Sequence, residues 1–139
     1  MSRFLIDTNV ILDVLTQDPA WAGWSADTLE ACAERGPVAV NPIIWAELSA
    51  GFDRVEDLEA ALPPEDWERL PLPWAAAFVA GRAFRGYRDR GGARTAPLPD
   101  FYIGAHAAVA GLTVVTRDDR RFRTYFPKLS VIAPQSRPG

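Results

Sequence analysis

The chain has 139 residues, 48% of them hydrophobic and 11% aromatic, with a formal net charge of −3 at pH 7. Size and balance describe one folded domain able to withdraw roughly 68–70% of its unfolded surface from water, and no apolar run approaches the ~20 residues a membrane span needs. The single cysteine, Cys32, excludes an internal disulfide, and without a basic-then-apolar leader the chain is expected in the cytoplasm.

In chain order, Phe4-Leu5-Ile6 is a short apolar run that ends in Asp7-Thr8-Asn9, which is how a strand buried on both faces of a parallel sheet reads. Thr8 to Leu15 continues as a helix that Asp7 or Thr8 can cap, and Asp18-Pro19 ends it. A second helix is predicted over Trp24 to Glu34, stopped by Gly36-Pro37, before a buried strand Val38-Ala39-Val40. Asn41-Pro42 is a strong helix start. The helix that follows, Ile43 to Gly51, is mostly apolar with one acid inside it, Glu47.

Val55 to Leu62 reads as a polar-faced helix broken by Pro63-Pro64, and Leu70-Pro71-Leu72-Pro73 as an extended link. The longest helical pattern is Trp74 to Arg90, with Trp74, Phe78, Ala80, Phe84 and Tyr87 at core-facing spacings and Arg82, Arg85 and Arg88 on much of the remainder. Gly91 to Ala96 forms a flexible basic loop. Asp100 to Gly111 is a helix of small residues with Gly111 as its C-cap, followed by a strand over 113–116, a short helix from Asp118 to Phe122 and a last apolar run, Leu129 to Ile132. Strands separated by helices imply an α/β fold with a parallel sheet and helices on both faces.

The charge is unevenly divided. Residues 1–70 hold 14 acids and 4 Lys/Arg, whereas residues 71–139 hold 4 acids and 11 Lys/Arg. A basic half points to an anionic partner and makes its few acids, Asp89, Asp100, Asp118 and Asp119, conspicuous. Asp7, Asp100 and Asp118 each have a plainer role at a helix start, where a carboxylate gains roughly 0.3–1 kcal/mol. Their joint pattern says more. Three carboxylates within about 4 Å would repel by roughly 4 kcal/mol per pair at an effective dielectric near 20, comparable in sum to a domain's whole stability of about 5–15 kcal/mol. Such a cluster must be partly protonated, spread apart or neutralised by a cation. An all-oxygen donor set selects Mg²⁺ or Mn²⁺ over zinc.

The ordered set Leu5-Ile6-Asp7-Thr8-Asn9, Trp45-Ala46-Glu47-Leu48, Pro99-Asp100-Phe101-Tyr102-Ile103-Gly104-Ala105-His106-Ala107 and Val115-Thr116-Arg117-Asp118-Asp119-Arg120-Arg121-Phe122 resembles the PIN-domain ribonucleases, in particular the VapC toxins of toxin–antitoxin systems. The resemblance implies a PIN-like α/β/α sandwich with a central, mainly parallel sheet, one domain over residues 1–133 and a short flexible tail over 134–139. It implies Asp7, Glu47, Asp100 and Asp118 as catalytic acids, with Asp7, Asp100 and Asp118 on the metal and Thr8, Asn9 and Thr116 supporting them by hydrogen bonds. Asp119 is the neighbour that could take the place of Asp118. His106, six residues beyond Asp100 and about 240° round the helix, is expected to face away.

The implied chemistry is Mg²⁺-assisted hydrolysis of RNA by water, leaving 5′-phosphate and 3′-hydroxyl ends. Arg82, Arg85, Arg88, Arg90 and Arg94 on one side and Arg117, Arg120, Arg121 and Arg123 on the other could bracket an RNA backbone, or serve as solvated helix faces. Trp21, Trp24 and Trp45 read as core or as the lining of a peptide groove. The family further implies a VapB-type antitoxin partner and a homodimer. A catalytically silent PIN-like RNA-binding or complex-forming module and a DNA-directed nuclease are the alternatives.

Overall fold

The computed structural model describes residues 2–94 and 98–135. Of the expected tail, Pro134 and Gln135 are described and residues 136–139 lie outside the described residues, as do Thr95 to Pro97 of the loop and link before Asp100. Three apolar residues suffice for each inner strand because the neighbours on both sides are equally short. Strand β1 is Phe4–Ile6, β2 is Val38–Val40 and β4 is Thr113–Val115. Phe4 pairs in register with Val38 on one side and Thr113 on the other, both parallel. The edges are β3, Trp67–Arg69, beside β2, and β5, Val131–Ile132, beside β4, giving the order β3-β2-β1-β4-β5 with every pairing parallel. Full burial of β1 and β2 explains why they read as unbroken apolar runs rather than as alternating ones.

Helices cover both faces, an α/β/α sandwich. Following β1 come α1 (Thr8–Leu15) and α2 (Ala22–Arg35), which return the chain to β2. After β2 come α3 (Pro42–Ser49) and α4 (Val55–Ala61), then β3. The chain then crosses to the other side of β1 through α5 (Trp74–Asp89) and α6 (Pro99–Ala110), and α7 (Arg120–Tyr125) joins β4 to β5. Progress from β1 runs one way to β2 and β3, then jumps back to β4. The crevice between the carboxyl ends of β1 and β4 is therefore the switch point, where open parallel sheets place their ligands.

Strand β3, Trp67-Glu68-Arg69, was not legible in the sequence, because an edge strand needs no continuous apolar face. One expectation requires correction. In α5, Trp74 and Phe78 do not face the core; they are 92% and 67% exposed. The inward stripe is instead Ala76 and Ala80, continued by the partly buried Ala83, Phe84 and Tyr87. Small residues win there because α5 lies against α6, and Trp74 is two positions, about 200°, from Ala76.

Close packing recurs on α6. A Cβ on Gly104 would stand 2.5 Å from the Phe126 ring, so only glycine lets α6 approach that closely. Gly111 ends the helix at φ +70°, the left-handed conformation expected of a glycine C-cap. Short of the helix end, His106 is buried and lies 3.1 Å from Asn41 Nδ2, while burial and Arg3 push its pKa below the usual value. It serves the core, joining α6 to the start of α3.

Candidate active site

The site begins with the ends of β1 and β4. The Asp7 amide donates to the Val115 carbonyl, 2.9 Å, so the ladder carries Asp7 to the brink of the sheet before α1 turns away. There Asp7 is both helix cap and candidate acid. One carboxylate oxygen accepts the Thr8 amide at 2.8 Å, and the other accepts the Thr116 hydroxyl at 2.9 Å and the Asn9 amide group at 3.3 Å. Asn9 also donates to Thr116 Oγ1 and accepts the Arg117 amide, tying the two strand ends together. Thr8 turns its hydroxyl to Glu47 on α3 at 2.7 Å. Thr8, Asn9 and Thr116 thus stand where supporting residues were expected.

Electrostatics bring the four acids into one neighbourhood. Burial, then Asp100 and more weakly Glu47, push the Asp7 carboxyl up to about 7, against the opposing pull of the Thr116 and Thr8 hydrogen bonds. Asp100, in the first turn of α6, is also raised, chiefly by burial and in part by Asp118, while Arg121 opposes. With its carboxyl raised to about 7, Asp7 is partly protonated at neutral pH, one of the outcomes that repulsion demands.

Arginines supply the rest of the compensation. Arg121 on α7 donates to Asp100 at 3.0 Å, and Arg120 grips Asp118 with two nitrogens at 2.9 and 2.7 Å. Asp118 lies in the turn before α7 rather than inside a helix, its amide donating to Thr116 Oγ1 at 3.2 Å. Asp119 is held by Arg123. Among the described residues, no three acidic, histidine or cysteine side chains are already drawn into an ion cage. Even so, the donor set is all oxygen, and the buried Asp7 beside Asp100 is a charge that a hard cation would stabilise, so the residues fit Mg²⁺ or Mn²⁺.

The arginines expected to bracket RNA divide into two groups. Arg82, Arg85, Arg88 and Arg94 are exposed. Arg117, Arg120 and Arg121 instead face carboxylates of their own chain, Arg117 reaching the buried Asp13 at 3.3 Å. Asp13 was hidden in the sequence among the apolar residues of α1; it also accepts the Ser25 hydroxyl of α2 at 2.8 Å. No local pattern announces such a pair. A roomy hollow of about 740 Å³ near Leu29, Glu30, Glu34, Val38 and Trp67 lies at the amino ends of the strands, opposite the carboxylates, and so is not part of this site.

Comparison with known families decides the relationship. The PIN-domain family profile matches residues 4–127. The chain belongs to the PIN-domain family. PIN domains are generally nucleases, and PIN nucleases generally use divalent metal ions. A chain in the crystal structure of VapBC2 from Rickettsia felis, bound to a DNA fragment from its promoter, superimposes with a TM-score of 0.74 at 20% identity, covering 96% of this PIN domain and 99% of that chain. A chain of DNA-bound VapBC from Salmonella typhimurium gives 0.69 at 22% identity, covering 96% and 98%. FitAcB from Neisseria gonorrhoeae gives 0.67 at 27% identity, covering 93% and 96%. No curated protein sequence matches the chain. The resemblance read from the sequence, to PIN domains, is borne out.

Proposed function

We propose that this PIN domain is the toxin of a toxin–antitoxin pair, a Mg²⁺-dependent endoribonuclease that cuts RNA to arrest translation and growth. The observation that carries it is the convergence of Asp7, Glu47, Asp100 and Asp118 at the β1/β4 switch point, with Asp7 raised to about 7 by burial and by its acidic neighbours. A purely structural cluster gains nothing from holding acids at such a cost.

In this reading Asp7, Asp100 and Asp118 hold the Mg²⁺ or Mn²⁺. When bound, the ion supplies the positive charge that makes water a competent nucleophile near neutral pH and offsets the charge developing on the leaving oxygen. Glu47, anchored by the Thr8 hydroxyl, is placed to accept a proton from the attacking water. Thr116 and Asn9 orient Asp7, while Arg121 and Arg120 hold Asp100 and Asp118 in place. Arg82, Arg85, Arg88 and Arg94 are the exposed cations left for phosphates. The VapBC likeness supports a VapB-type antitoxin partner, and the reading takes the toxin to be a homodimer that acts in the cytoplasm.

The test is incubation of purified, antitoxin-free protein with a structured RNA pool and a DNA pool, in Mg²⁺ and in chelator, alongside Asp100→Asn. Metal-dependent RNA cutting that the variant lacks, leaving 5′-phosphate ends, is the expected result. Intact RNA in Mg²⁺, or 2′,3′-cyclic phosphate products, would overturn it; cutting confined to DNA would redirect it.

A further inference from the structure

The exposed aromatic residues of α5 belong to no core and to no part of the site above. Trp74 and Phe78 stand one turn apart on its outer face, and Arg82, Arg85 and Arg88 continue that face toward the other end of the helix. α5 and α6 run antiparallel: Phe84 and Tyr87 reach Phe101 at ring distances of 6.4 and 5.6 Å. Phe101 follows Asp100, so the Arg88 end of α5 packs beside the first turn of α6, which carries Asp100. Trp74 lies 14 residues back, about 21 Å along the helix.

We propose that this face is a track for a single-stranded RNA flank leading away from the scissile bond, its bases stacking on Phe78 and Trp74 and its phosphates held by Arg82, Arg85 and Arg88. The inference rests on the nuclease reading and adds the substrate class. Three observations support the assignment. First, among the described residues no carboxylate pairs with these three arginines. Two of them lie over rings of their own helix, Arg82 at 5.9 Å from the Phe78 centroid and Arg88 at 5.8 Å from that of Phe84. A guanidinium seated on a ring is ordered yet keeps its N–H groups for phosphate oxygens.

Second, the sign of charge favours a polyanion over a second copy of the chain. The face carries three arginines against Asp89 alone. One helix face also falls short of the roughly 800 Å² per partner of a standard interface. Third, α5 and α7 enclose a cleft of about 380 Å³ lined by Arg82, Arg90 and Tyr125, with the Arg90 guanidinium 5.4 Å from the Tyr125 ring centroid. Arg82 borders both cleft and aromatic ridge. A duplex hides the faces of its bases, so rings displayed this way select unpaired ones.

The test is fluorescence anisotropy of a labelled 12-nucleotide oligouridylate and of a labelled RNA duplex, in chelator, with wild type, Trp74→Ala, Phe78→Ala and Arg85→Gln, together with pool cleavage in Mg²⁺. Trp74→Ala and Phe78→Ala are expected to weaken single-strand binding roughly 5- to 100-fold each with little change in salt dependence and little effect on duplex. Arg85→Gln should lower the slope of log affinity against log salt by about 0.7. If the wild type cuts the pool but the aromatic variants bind the oligonucleotide and cut as well as it does, the track is wrong and the nuclease stands. A protein that neither cuts nor binds RNA removes both. Should Trp74→Ala turn a dimer into a monomer by sedimentation without altering single-strand affinity, the face is a subunit contact and the proposal falls.

Discussion

Asp7 makes the metal-free protein sensitive to pH in a direction opposite to that of a salt-bridged carboxylate, and the size of the effect follows from its surroundings. The folded chain holds its proton up to about 7, whereas the unfolded chain releases it near the ordinary 3.8. Between those values the unfolded state binds fewer protons, so the contribution of Asp7 to stability is fully present below about pH 4 and is lost as pH rises through 7. At 1.36 kcal/mol for each factor of ten in proton affinity, the loss by pH 8 is about 4 kcal/mol. Asp7 is 5% exposed, so solvent screens little of this.

Asp7→Asn abolishes the titration. Its cost is one acceptor, because the amide oxygen can keep the Thr8 bond while the new NH₂ faces both Thr116 and Asn9. That loss is about 1–2 kcal/mol. In chelator the variant should therefore be less stable than wild type by about 1–2 kcal/mol at pH 4 and more stable by about 2–3 kcal/mol at pH 8. Urea unfolding at pH 4, 6 and 8 measures the difference, in which titrations not coupled to Asp7 cancel. A difference that stays flat across the series would refute the premise that the site holds its first acid at an energetic cost. Added Mn²⁺ should stabilise wild type at pH 8 and leave Asp7→Asn nearly unmoved.

Further outcomes follow from single contacts. Asp100→Asn should lose RNA cleavage while the chelated protein stays as stable as wild type or more so, read by thermal melting; a clear fall in melting temperature would mark Asp100 as structural. Thr116→Val keeps the shape but removes the donor to Asp7, so metal affinity or cleavage rate should fall roughly 10- to 100-fold with the fold intact by circular dichroism. Ser25→Ala strips a partner from the buried Asp13 and should cost about 1–3 kcal/mol in urea unfolding. Gly104→Ala drives a methyl into the Phe126 ring and should cost about 1–3 kcal/mol, with no change expected in the pH profile of what activity remains.

Legibility in the sequence followed the locality of the forces. β1, β2 and β4 were visible because burial on both faces leaves an apolar run that needs no partner to be recognised, and Asn41 and Gly111 were visible because caps act within a turn. The candidate acids were proposed from their order along the chain, and the structure sets them within electrostatic reach of one another. What holds them could not be found that way: Arg121 meets Asp100 across 21 residues and Arg117 meets Asp13 across 104, with nothing near either to announce the match. α5 shows the same limit from the other side. Its apolar period was real, but a helix with aromatics on one stripe and alanines on another can bury either, and the nearness of α6 chose the alanines.

The central position of β1 also sets a schedule. Asp7 leaves the ribosome long before the strand beside it and the hydroxyl that orients it, which belong to residues 113–116, more than a hundred positions later. A chain interrupted anywhere before that point has its leading acid but no second wall to the crevice, and contacts of such long sequence separation close late and slowly. The carboxylate crevice thereby forms only once residue 116 has been made, so a fragment that stops short of it should lack the assembled site.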